Sequence, residues 1–160
     1  MKRKLLPWLL LPVLFLGLQQ YASRGLITGT APPALGRTLQ GKPADPSGGE
    51  GKSAIVYFWA SWCPVCKIMQ GTVNALAKDV PIVSVAMLSG DAAEVRRYAE
   101  QMQLTAPVVV DAEGRIAESY GVRGVPAVFI VGPDGKIRFA SVGFSSEWGI
   151  RARLWLVKWL

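Results

Sequence analysis

Six residues without a charge or a turn former, Ala54-Ile55-Val56-Tyr57-Phe58-Trp59, run almost directly into Trp62-Cys63-Pro64-Val65-Cys66. A continuous β-branched and aromatic run of this kind predicts a buried strand. The apolar residues Ile68, Val73, Leu76 and Ala77 that follow have helical spacing and predict a helix over Pro64 to Lys78. Pro64 at its first position loses no hydrogen bond and brings the required φ. The two cysteines therefore sit where a strand ends and a helix begins. Backbone N–H groups at a helix N-terminus favour negative charge, so a thiolate there is stabilised and its pKa falls. Cys63 is expected as the exposed thiol at the tip, and Cys66 one turn in, less accessible.

These are the only two cysteines among 160 residues, and there is no histidine. That excludes Ser-His-Asp and Cys-His catalysis within the chain. It also excludes a four-ligand Cys/His zinc site and a multi-disulfide scaffold. A static cross-link is a weak explanation, because closing so short a loop gains little entropy. The pair predicts exchange chemistry: the Cys63 thiolate attacks a partner disulfide, and Cys66 resolves the mixed disulfide. The alternative is a metal-handling module holding Cu(I) on the same two thiolates, with only Met69 nearby in sequence as a further soft donor. The exchange reading calls for no cofactor and no resident metal.

Further along, Pro81 to Met87 predicts a second strand, and Asp91 caps a helix reaching about Gln103. Val108 to Val110 is strand-like, Ile116 to Tyr120 a turn or two of helix, and Ala127 to Val131 a long strand. Pro133-Asp134-Gly135 turns that strand into Lys136 to Val142 as a hairpin. Ser145 or Ser146 then caps a final helix, and Leu35 to Gln40 is a short edge-strand candidate. Strands alternating with helices and closing on a hairpin predict an α/β fold, a mixed central sheet flanked by helices on both faces.

Phe58-Trp59-Ala60-Ser61-Trp62-Cys63-Pro64-Val65-Cys66-Lys67 resembles the active-site segment of the thioredoxin superfamily. Gly124-Val125-Pro126-Ala127-Val128-Phe129 resembles its second signature, in which a cis-proline opens a strand facing the cysteines, and Asp134-Gly135-Lys136 resembles the hairpin turn that follows. The resemblance implies a thioredoxin-like fold over residues 34–160 and a protein-disulfide oxidoreductase with catalytic Cys63 and Cys66. It implies a substrate surface of Trp62, Pro64, Val65, Val125 and Pro126, with Val125 offering its backbone to an extended substrate segment. The finer resemblance is to the membrane-anchored periplasmic group: the suppressor-of-copper-sensitivity D proteins and the cytochrome c maturation thioredoxins. Two positions depart from these families. Tyr57 stands where thioredoxins often have a buried acid, and Met69 where cytochrome-maturation relatives often have Glu.

Location follows from the N-terminus. Met1-Lys2-Arg3-Lys4 precedes the uncharged run Leu5 to Leu18, a signal peptide or a signal anchor. No A-x-A-like cleavage pair lies over Gln19 to Arg24, which favours an anchor over residues 1–22, with residues 23–33 as a spacer. The basic flank keeps the N-terminus in the cytoplasm. The domain would then face the periplasm from a single-pass anchor in a bacterial inner membrane. It would meet protein thiols and disulfides there, with a membrane thiol reductase as electron partner. The chain's net charge is +7, but residues 30–144 carry 11 basic and 10 acidic side chains, 11 − 10 = +1. A nucleic-acid partner is not expected from so balanced a domain. Trp148, Trp155 and Trp159 share one face of the last helix, a stripe expected to pack against the sheet or, with Arg151, Arg153 and Lys158 nearby, to contact the membrane interface.

Overall fold

The computed structural model describes Gly17 and residues 23–32, 35–47, 49 and 51–159. The expected anchor, Leu5 to Ala22, falls almost entirely outside the described residues. Among those residues no helix is long and apolar enough to cross a membrane.

The chain forms β1 (Gly29–Thr30), β2 (Ala54–Trp59), α1 (Pro64–Leu76), β3 (Ile82–Met87), α2 (Ala92–Gln101), β4 (Val108–Asp111), α3 (Arg115–Ser119), β5 (Ala127–Val131), β6 (Lys136–Val142) and α4 (Glu147–Val157). The six strands make one sheet in the order β1-β6-β5-β2-β3-β4. β2, β3 and β4 run parallel, while β5 is antiparallel to β2 and to β6. The fold is thus the mixed, helix-flanked sheet that the strand and helix alternation predicts. All six residues of β2 are buried, because the strand lies centrally and both its faces are covered.

Alternation along β2 divides the core in two. Ile55, Tyr57 and Trp59 point into a layer closed by α1, α2 and α4 through Cys66, Val73, Leu76, Val95, Ile150 and Val157. Val56 and Phe58 point into the opposite layer with Ala117, Tyr120 and Phe129. Each helix start has its own device. Asp91 and Glu94 form a reciprocal capping box on α2. The Asp111 carboxylate, buried at the end of β4, accepts from the Ile116 and Ala117 N–H groups at 3.1 and 2.9 Å. Ser146 accepts from Gly149 at the start of α4.

Three expectations change. The first concerns the segment read as a spacer. Residues 23–32 lie along the domain: Ile27 N donates to Tyr120 O, Ala31 N to Gly135 O, and Gly29–Thr30 pairs with β6. Gly121, at φ +67°, permits this contact, since a Cβ there would fall on the Gly25 carbonyl. The second is the edge strand over Leu35 to Gln40, which forms only isolated bridges, one of them Thr38 to Val109 of β4. The third is the tryptophan stripe. Ile150 and Val157 are the buried residues of α4, and Trp148, Trp155 and Trp159 are exposed, Trp148 by 83%. Helical spacing identifies a stripe but not its direction. Here the smaller aliphatic side chains fit against α1, and Arg151 on the same helix reaches Asp79 at 2.7 Å.

Candidate active site

Cys63 occupies the N-cap of α1 with extended backbone angles, and Pro64 opens the helix. Its sulfur accepts a hydrogen bond from the Cys66 backbone N–H at 3.1 Å. This is one of the N–H groups that a helix start leaves without an intrahelical partner, and it is directed at the atom that must carry negative charge. Cys63 and Cys66 are joined as a disulfide, with Cα atoms 5.3 Å apart. In this oxidised form the expected difference in exposure vanishes: Cys63 is 3% and Cys66 5% exposed.

The second signature meets the first across the sheet. The Val125–Pro126 peptide bond is cis, and the Val125 carbonyl oxygen lies 3.6 Å from the Cys63 sulfur. Gly143 N donates to Pro126 O at 2.8 Å, tying the end of β6 to this loop. Trp62 is exposed, and its indole N–H donates to the Leu88 carbonyl at 3.0 Å. Ser89 holds the same loop: its hydroxyl accepts from Ser61 N at 3.0 Å and donates to Met87 O at 2.9 Å. Pro64 and Val65 are exposed beside the cysteines, while Pro126 is buried beneath them. Trp62, Pro64 and Val65 are thus exposed around the cysteines, the Val125 carbonyl approaches Cys63, and Pro126 is buried rather than on the surface.

Leu88, Ser89 and Ile68 did not emerge from the sequence as site residues. Ile68 follows Val65 by one helical turn and is 70% exposed, so it extends the apolar rim rather than the core. Leu88 (φ 47°) and Gly90 (φ 93°) both take left-handed backbone angles, and Ser89-Gly90-Asp91 after a strand was the available signal for this loop. No group of three His, Cys, Asp or Glu side chains arranged to hold a metal is found among the described residues. The Cu(I) reading thus has no third ligand of those types at the pair.

The profile of the AhpC/TSA family matches residues 27–140. The chain belongs to this family. A thioredoxin-like protein of Haemophilus influenzae is 31% identical over 110 residues, 68% of this chain and 65% of that protein. The chain thus matches slightly less than two thirds of that relative's length. The thiol-disulfide oxidoreductase ResA of Geobacillus thermodenitrificans is 27% identical over 136 residues, 82% of this chain and 78% of ResA. Among solved structures, a putative thiol:disulfide interchange protein DsbE from Chlorobium tepidum superposes with TM-score 0.69 at 27% identity, covering 81% of this chain and 99% of that one. StoA from Bacillus subtilis superposes with TM-score 0.64 at 26% identity, covering 77% and 98%. The matched region of this AhpC/TSA family member is a thioredoxin-like thiol–disulfide oxidoreductase domain, with Cys63 and Cys66 as its Cys-x-x-Cys pair.

Proposed function

We propose that the whole protein is a membrane-tethered periplasmic thiol–disulfide oxidoreductase acting on protein thiols and disulfides. The carrying observation is the Cys63–Cys66 disulfide at the start of α1, facing the cis Val125–Pro126 bond inside an exposed apolar rim. In the reduced form, the Cys66 N–H and the N-terminal end of α1 stabilise a Cys63 thiolate. That thiolate attacks one sulfur of a partner disulfide. The partner S–S bond breaks, its electron pair leaves with the other sulfur, and a mixed disulfide forms on Cys63. Cys66 then gives up its proton, attacks the Cys63 sulfur and releases the second partner thiolate. The same geometry serves the reverse reaction, and the relative reduction potentials set the direction. An extended partner segment lies along Val125, and Trp62, Pro64 and Val65 contact its side chains.

The tether reading rests on Lys2-Arg3-Lys4 before Leu5 to Leu18 and on the missing cleavage pair. Because residues 23–32 lie along the domain, the tether leaves it close to Ser23, whose hydroxyl accepts from Val142 N at the end of β6. β6 ends beside Pro126, which supports a reading in which the cysteine face lies near the membrane and meets a membrane thiol reductase as electron partner. The exported setting, the anchor and the two cysteines together favour the suppressor-of-copper-sensitivity D and cytochrome c maturation group.

Cys63→Ala should abolish turnover of a test protein disulfide, whereas Cys66→Ala should accumulate mixed disulfides with its substrates. Wild-type turnover in both variants sinks the proposed mechanism. For location, alkaline phosphatase fused after residue 33 should be active and should sediment with membranes. Activity in the soluble fraction, from a mature N-terminus near Arg24, removes the tether but keeps export. No activity removes both.

A further inference from the structure

Beside Cys66 lies a small cavity of about 10 Å³ lined by Tyr57, Trp59, Cys66, Gln70, Tyr98 and Leu104. That is the size of one water molecule. Two of its walls carry polar atoms with nothing to bond. Tyr57 and Trp59 are 3% and 2% exposed, and neither the Tyr57 hydroxyl nor the Trp59 indole N–H has a hydrogen-bond partner among the described residues. An orphaned buried donor costs roughly 1–3 kcal/mol, so two on residues that line one cavity beside a reactive sulfur call for a shared acceptor. The Gln70 amide N–H is already used on the Met102 carbonyl.

We propose that this cavity is a single-water site, held by Tyr57 and Trp59, that directs an O–H donor at the Cys66 sulfur. The indole N–H can only donate. Burial pushes the Tyr57 phenol well above its ordinary pKa, with the nearby Tyr98 as a second cause, so Tyr57 stays protonated and donates as well. A water accepting from both has its lone pairs occupied and its two hydrogens free to donate. It therefore stabilises a Cys66 thiolate rather than acting as a base. When a partner thiolate attacks Cys63, the Cys63–Cys66 bond breaks and its electron pair moves to Cys66, where this water meets the new charge. The proton that later neutralises Cys66 comes from solvent. Tyr57 and Trp59 are thus positioning residues for the second cysteine. Among the described residues, Tyr57 from β2, Tyr98 from α2, Cys63 at the N-cap of α1 and the exposed Lys67 next in the chain are titratable groups near Cys66. β5 and α4 bring the apolar Val128, Ile130, Ile150, Leu154 and Val157 to this layer.

The inference rests on Cys63 and Cys66 being an exchanging pair, but its test needs no turnover. In the full chain carrying Cys63→Ala, Cys66 is the only thiol, and its thiolate can be titrated by ultraviolet absorbance. Adding Tyr57→Phe should make the thiol about tenfold harder to ionise, raising the titration midpoint by about one pH unit. Trp59→Phe should move it the same way, and it decides the matter if Tyr57→Phe does not fold. With Cys63 intact, opening of the disulfide by glutathione should be roughly tenfold slower in Tyr57→Phe. Unchanged midpoints in folded variants overturn the water site while leaving the exchange reading intact. A shifted midpoint in a protein that exchanges with no partner disulfide would support the site and sink the exchange reading.

Discussion

The two faces of β2 make an instructive contrast. On one face Phe58 meets Tyr120 and Phe129 with ring centroids 5.1 and 5.6 Å apart, and Tyr120 meets Phe129 at 5.0 Å. On the other, one residue to either side, Trp59 stacks on Tyr98 at 5.3 Å and Tyr57 lies close by. Both faces bury a tyrosine whose hydroxyl has no partner, Tyr120 on the first and Tyr57 on the second. The second opens onto a cavity that touches a cysteine. One strand thus gives a closed aromatic wedge to hold the sheet and a slightly open aromatic wall to serve Cys66. The difference lies in what packs opposite, not in residue type.

The largest effect that can test this contrast is on stability. Phe58→Ala should destabilise the protein by about 3–5 kcal/mol through the cavity it leaves, read by denaturant unfolding. Cys63 of the folded variant should keep its reactivity, since Phe58 faces away from it. Loss of reactivity in the fold that remains would show that the two faces are not separable. A smaller effect separates the two tyrosines. Tyr120→Phe, measured in the Cys63→Ala background, should leave the Cys66 titration where it was, in contrast to Tyr57→Phe. An equal shift in both would erase the distinction between the faces.

The faces share one pH dependence. Burial raises the pKa of both Tyr57 and Tyr120, while the unfolded chain releases these protons near the ordinary value of about 10. The stability tied to the protonated phenols is present below that pH and lost as pH rises past it. Urea unfolding at about pH 9 and about pH 11 should show this loss, and Tyr57→Phe and Tyr120→Phe should each reduce it. The smallest effect is expected outside both layers. Trp155→Ser on the solvent side of α4 should change stability by no more than about 0.5 kcal/mol. A loss of several kcal/mol would mean that the tryptophan face is packed after all.

Much of this was legible in local sequence because its causes are local. The apolar run Ala54 to Trp59 declares a buried strand, Pro64 after Cys63 declares a helix start, and Asp91 with Glu94 writes a capping box within four residues. The Pro133-Asp134-Gly135 turn likewise marks the hairpin. The cysteine pair stood out because it is the only pair. Other features depend on distant partners. Gly29–Thr30 becomes a strand only because Lys136 and Ile137 lie beside it. Leu88 joins the site only because the loop after β3 brings its carbonyl to the Trp62 indole.

The sequence by itself determined the order of elements, the position of the thiol chemistry and its two-cysteine limit, since these follow from side-chain period, backbone preference and residue count. Tertiary structure decided what no period encodes: which way a helix face turns and which atoms meet across the sheet. The spacing of Trp148, Trp155 and Trp159 is the same whether they face inward or outward, and the fit of Ile150 and Val157 against α1 turned them out. Tyr57 and Cys66 are nine residues apart in sequence, and nothing in those nine residues shows that they share a cavity. That meeting depends on the angle at which α1 crosses β2, which the packing of the whole core sets.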